Sequence, residues 1–202
     1  MDSREKLKKE YEEYVFKTTY RPIEEYTYPL WSDPSFCFDA LCYCASKGQV
    51  WDLMEFIDDN LWGDLSVILE AMNNIIDNGQ VSLLPAVYEK VPKEKWRDEE
   101  FLDAAIPYDI HALDYVPRDA RTKELMLLAF AEMPEQLKFN IVAYVDGYEY
   151  LIKKTPDEVF ADKEFVDKLL RYLRNSYEGK TNPPCLAGDY QRLLALVDAK
   201  RN

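Results

Sequence analysis

The chain has 202 residues, 48% of them apolar and 31% charged, a balance that excludes wholesale disorder and leaves apolar surface for a sizeable core. Lysine and arginine number 25 against 38 aspartates and glutamates, so the formal charge is −13 and nucleic-acid phosphates and anionic lipid are disfavoured as partners. No apolar run approaches the roughly 20 residues of a membrane-crossing helix. The charged opening MDSREKLKKEYEEY also lacks the apolar core of a secretory signal, so a cytoplasmic protein is expected.

Residues 2 to 18 predict a charged helix with Asp2 at its cap and Glu5 three positions on. After the connector TTYRPIEEYTYPLWSDP come the amphipathic stretches FCFDALCYCA, QVWDLMEFIDDNL, DLSVILEAMNNIID and VSLLPAVYEKV. They are separated by Lys47-Gly48, Trp62-Gly63 and Asn78-Gly79. Cys37, Cys42 and Cys44 lie in the first of these stretches among Phe36, Phe38 and Leu41, where a reduced thiol behaves as a small hydrophobe. Cys-x4-Cys-x-Cys with a single distant histidine is not a zinc-ligand pattern, and neither metal nor cofactor is expected.

Further along, one punctuation occurs three times: VPKEKWRDEEFLDAAI from Val91, VPRDARTKELMLLAF from Val116 and TPDEVFADKEFVDKLL from Thr155. In each, a proline is followed five or six residues later by Asp98, Thr122 or Asp162, then by a glutamate and an apolar residue. Asp and Thr side chains accept from the first free amides of a helix, and a carboxylate in the first turn suits its positive end. The proline has no amide and restricts the residue before it, so the previous element ends there. Between Asp98 and Thr122 there is room for two short helices. Between Thr122 and Asp162 an added helical stretch, PEQLKFNIVAYV, precedes a break at Asp146-Gly147 and the short segment YEYLIKK. GKTNPPC is a loop and DYQRLLALVDAK a closing helix.

Nothing reads as a strand ladder. The expected fold is all-α, with antiparallel helix pairs stacked as a short solenoid-like array in one domain, 1–202. Residues 1–34 supply an N-terminal helix and connector, 35–178 the helix pairs, and 179–202 a loop and capping helix. The phrase DEEFLDAAI…ALDYVPRDARTKELMLLAF resembles a family of short helical repeats of unknown function in bacterial and viral proteins, over Asp98 to Leu170. The family's unit runs acid-x-Glu-apolar-apolar-x-x-Ala-apolar, then Ala-Leu-x-Tyr-small and Pro or Ser, about every two dozen residues. Here Pro107-Tyr108-Asp109 stands where the family has a Gly-containing turn, and a long insertion follows residue 131. The resemblance carries no assigned chemistry.

The motifs of catalysis are missing. His111 is the only histidine and has no Ser- or Cys-centred elbow beside it. The run from Asp58 starts like a calcium loop, with Asn60 and Gly63 in place, but puts Trp62 and Leu69 where ligands belong. No phosphate-binding loop, G-x-S-x-G or H-E-x-x-H occurs, so a non-catalytic protein is expected. Lys168, Arg171 and Arg174 form a basic stripe that reads as a solvated face.

The acid excess points to a partner. Residues 48 to 89 hold eight acids and no Lys or Arg, a net −8. If QVWDLMEFIDDNL turns Val50, Leu53, Met54 and Ile57 inward, Asp52, Glu55 and Asp59 face out with no base within helical reach. Tyrosine and tryptophan anchor interfaces at low entropic cost. The expected partner face therefore gathers Trp51, Asp52, Glu55, Asp58, Asp59, Trp62 and Asp64. It suits a protein or peptide with a basic surface. An acidic inhibitor of a nucleic-acid enzyme, such as an immunity protein, an antitoxin or a phage-encoded blocker, is the alternative.

Overall fold

The structure of the protein, a computed structural model, describes residues 3–18, 29–47, 54, 56–77, 79, 81–136, 141–178 and 187–201. Among the described residues every regular element is helical. None of these helices is long and apolar enough to cross a membrane. The chain falls into two compact units, Met1–Lys95 and Trp96–Asn202.

The first unit contains α1 (Ser3–Thr18), α2 (Pro34–Lys47), α3 (Leu65–Asp77) and α4 (Leu84–Lys90). Helix α2 packs on α1 and α3, and α3 on α4. Val67, Ile68, Ala71, Met72 and Ile75 of α3 are all buried, the three- and four-residue spacing of a core-facing stripe. The second unit contains α5 (Glu99–Ala105), α6 (Lys123–Gln136), α7 (Ile141–Lys154), α8 (Lys163–Tyr177) and α9 (Ala187–Arg201). Helix α6 packs on α5, α7 and α8, and α9 lies against α7 and α8 with Leu193 and Val197 fully buried. The rings of Phe130, Tyr148 and Phe165 meet in this core at centroid distances of 6.2 and 6.3 Å.

One corner geometry starts five of these helices. Asp33, Asp64, Asp98, Thr122 and Asp162 each accept, through a side-chain oxygen, from the amide three residues on, at 3.0 to 3.4 Å. Each backbone carbonyl then accepts from the amide four residues on, closing the first helical turn. Before four of the caps a short 3-10 turn places an aromatic residue two positions ahead of the cap: Trp31, Trp62, Trp96 and Phe160 are all buried. Three of these rings meet a phenylalanine at the third position after the cap edge-on, Trp31 with Phe36 at 5.1 Å, Trp96 with Phe101 at 5.2 Å and Phe160 with Phe165 at 5.5 Å. The tight turn brings ring and helix start together, and such a pair adds roughly 0.5–1.5 kcal/mol beyond its area burial.

The Thr122 corner differs. It is one residue shorter between proline and cap than the Asp98 and Asp162 corners, with Ala120 where the other four have a ring. Arg121 fills in: its Nε and Nη2 donate to the Val116 carbonyl at 3.1 and 2.9 Å, and its Nη1 donates to the Lys154 carbonyl at 3.0 Å.

Three local expectations are corrected. The stretch QVWDLMEFIDDNL does not stay helical to Leu61; Asp59–Gly63 is a 3-10 turn, entered with the Asp58 carboxylate accepting from the Asn60 amide and left with Asp64 accepting from the Ser66 amide. Between Asp98 and Thr122 only Glu99–Ala105 is an α-helix, and two 3-10 turns follow it, Ile110–Asp114 and Arg118–Ala120. Asp146-Gly147 is not a break: α7 runs through it, and residues 134 to 136 end α6 instead. A helical glycine costs about 1 kcal/mol against alanine, and burial of the neighbouring Tyr148, Leu151 and Ile152 outweighs it.

Candidate functional site

Of the expected partner face, Trp51, Asp52 and Glu55 lie outside the described residues. The remaining four residues are described, and three of them serve the Asp64 corner. Asp58 accepts from the Asn60 amide at 2.9 Å, the Asn60 side chain at 2.8 Å and the Ser32 hydroxyl at 2.7 Å. The Asn60 amide, then Ser32, holds its carboxyl below the ordinary range. Asp64 accepts from the Ser66 amide at 2.9 Å and caps α3. Trp62 is fully buried and offers a partner no surface. Asp59 is 88% exposed at its side chain, yet it is not without a base: Lys90 of α4 reaches it at 3.4 Å.

In the second unit most charges are also matched, here from one corner to the next. Arg97 meets Asp119 through two bonds, 2.8 and 3.0 Å. Arg118 reaches Asp157 at 3.1 Å and Glu158 at 3.6 Å, and Lys123 reaches Asp162 at 3.0 Å and Glu164 at 3.5 Å. Lys200 of α9 returns to Asp157 at 2.6 Å. On the α7 side Asp114 takes both the Tyr150 hydroxyl, at 2.8 Å, and Lys154, at 2.5 Å. His111 is exposed, its ring 4.8 Å from that of Tyr150. Lys168 of the basic stripe pairs with Glu164 at 2.8 Å. Exposed pairs of this kind contribute little stability each, but they occupy the charges that make them.

Among the described residues other charges stay without such a partner, Glu132, Lys163, Asp167, Arg171 and Arg174 among them, but three unmatched acids gather around one groove. Between α5, the start of α6 and the turn at Ala120 lies a cleft of about 580 Å³. Leu102 and Leu125, each 4% exposed, and the half-buried Leu128 form its apolar floor. Glu99 and Asp103 of α5 and Glu124 of α6 stand at its rim, all exposed. Among the described residues no ion pair or hydrogen bond engages these three carboxylates. The one basic residue in the lining, Arg97, has its charge matched by Asp119. A shallower hollow on the outer side of α5 shares Glu99 and Asp103 and adds Glu100.

A second cleft, of about 530 Å³, lies between the Pro117 and Pro156 corners, and its charged groups are already engaged. Arg118 is on Glu158, Asp119 on Arg97, and Arg121 on two backbone carbonyls. The first groove therefore combines apolar floor and unmatched charge. Its rim residues are not among those expected from sequence, although EEFLDAA carries the signal: Glu99 and Asp103 are four apart on a helix with no Lys or Arg of its own.

Comparison of the chain with protein-family models, with curated proteins and with solved structures finds no match in any of the three.

Proposed function

We propose that this protein is a non-catalytic binding module of helical-repeat type whose partner presents a basic surface. One observation carries the reading: in a chain of formal charge −13, the carboxylates of Glu99, Asp103 and Glu124 stay unmatched around an apolar groove. Apolar burial gives affinity at such a site, and the charged rim gives orientation and speeds encounter with a cationic partner.

The recurring corner supports reading the chain as an array of helical units, with those at Asp98, Thr122 and Asp162 as copies of the short bacterial and viral repeat it resembles. A cytoplasmic setting belongs to the same proposal and suits the free thiol of Cys37.

The test uses the full chain as bait in a lysate of its native host, beside a variant carrying Glu99→Gln, Asp103→Asn and Glu124→Gln. The expected result is that basic proteins are retained by the wild type at low salt, released at high salt and missing from the variant. Identical retention by both baits, or none by either, removes the proposal. A nuclease among the retained proteins would narrow it to an inhibitor.

A further inference from the structure

We infer that the groove between α5 and α6 receives a short, basic, amphipathic helical segment, with aliphatic side chains on the leucine floor and lysine or arginine on either side of them. This rests on the reading of the chain as a binding module and names the form its partner takes at this site.

The dimensions set the length of the occupant. A helix of seven residues such as α5 is about 10 Å long, so the seat spans roughly two turns of a helix. Residues one turn apart, at i and i+3 or i+4, are therefore the anchors that the seat can take together. Leu102, Leu125 and Leu128 give these anchors an apolar surface with no donor or acceptor that a polar side chain would need.

The rim selects the charge. Asp103 is opposed twice by its own helix: it lies near the negative C-terminal end of α5, and Glu99 is one turn before it with the same charge. Cationic side chains flanking the anchors would relieve both repulsions. A phosphate-bearing ligand meets the opposite situation, and a second copy of this chain brings like charge overall.

The experiment is fluorescence anisotropy with a fluorescein-labelled synthetic peptide of about twelve residues, leucines four apart and lysines on both sides of them. Two control peptides replace the leucines by serine or the lysines by glutamate. Saturable binding of the first peptide alone is expected. Glu99→Gln/Asp103→Asn/Glu124→Gln, and separately Leu128→Lys, should weaken it by about tenfold or more. Asp77→Asn/Glu89→Gln/Asp167→Asn makes the same charge change at exposed positions that do not line the groove and should leave binding within about twofold. Circular dichroism melts establish that each variant is folded; the rim variant alters only exposed side chains, so it reports on binding even if Leu128→Lys unfolds.

Equal binding of the serine peptide, or equal weakening by the control triple variant, would show plain charge attraction. That overturns the groove and leaves the basic-partner reading standing. No peptide binding at low salt, with rim-dependent capture from lysate intact, overturns the helical segment alone. Failure of both removes both.

Discussion

Arg121 is bonded to the last carbonyl of α7, that of Lys154, at 3.0 Å, while the rest of its guanidinium holds the Val116 carbonyl just before Pro117. Two consecutive corners are joined through one side chain. The Lys154 carbonyl is at the negative end of a helix, where a cation is favoured, and the planar fork spans both acceptors without bending. Arg121→Ala should therefore cost about 2–3 kcal/mol in urea denaturation, the range for loss of charge-assisted bonds to partly buried acceptors. Arg121→Lys should recover less than half of that, since an ammonium cannot reach both carbonyls with the same geometry. A lysine variant as stable as wild type would show that only charge matters at this corner.

The corner-to-corner ion pairs contribute to the response to acid. Arg97 holds the Asp119 carboxyl below its usual range, Lys200 and then Arg118 do so for Asp157, and the Phe165 amide and then Lys123 for Asp162. A carboxylate with a lower pKa folded than unfolded contributes stability above the unfolded value, about 3.9, and loses it as pH falls through the folded value. The urea midpoint should stay level from neutrality to about pH 5 and decline below about pH 4. In Asp119→Asn/Asp157→Asn/Asp162→Asn the decline should be shallower. Parallel curves for the two proteins would assign the acid sensitivity elsewhere.

The thiol of Cys37 is pushed up to about 12, by burial first and then by the nearby Asp33 and Asp58 carboxylates. It is fully buried and donates to the Trp31 carbonyl at 3.4 Å. At pH 8 its thiolate fraction is then on the order of one in ten thousand, against a substantial fraction for an ordinary cysteine. Iodoacetamide at pH 8 should leave Cys37 unmodified in the native protein and label it in urea, read by peptide mass mapping. Rapid native labelling would mean that the Asp33 corner opens readily.

The caps at Asp98, Thr122 and Asp162 are legible in the letters because an N-cap is a contact between near neighbours. Asp33 belongs to the same set, and its signal is present too: Trp31-Ser32-Asp33, Trp62-Gly63-Asp64, Trp96-Arg97-Asp98 and Phe160-Ala161-Asp162 are one pattern, an aromatic residue two before the cap. Gly147 misleads because helix propensity is local and weak, whereas the burial of Tyr148, Leu151 and Ile152 that holds α7 straight through it comes from other helices. The state of the acids is still less local. Asp59 finds Lys90 31 residues away and Asp119 finds Arg97 at 22, while Glu99 and Asp103, with basic residues close by in sequence, find none.

Trp62 shows how an interface residue by composition becomes a core residue by position. It is fully buried, and among the described residues its indole N–H has no acceptor. An unpaired buried donor costs about 1–3 kcal/mol. Trp62→Phe removes that donor together with part of the ring, so the relief offsets the loss of packing and the net change should stay within about 1 kcal/mol. Trp62→Ala keeps no compensation and should cost about 3–5 kcal/mol. Trp31 supplies the contrast within the same unit: its Nε1 donates to the Glu12 carboxylate at 2.9 Å, so Trp31→Phe loses a bond to a charged group as well as ring volume. That substitution should cost roughly 1.5–3 kcal/mol more than the loss of volume alone. Urea denaturation of the three variants orders them as Trp62→Phe, then Trp31→Phe, then Trp62→Ala, from least to most destabilised. If Trp62→Phe proves as costly as Trp31→Phe, the indole of Trp62 has an acceptor after all, and its corner is held by a polar contact as well as by packing.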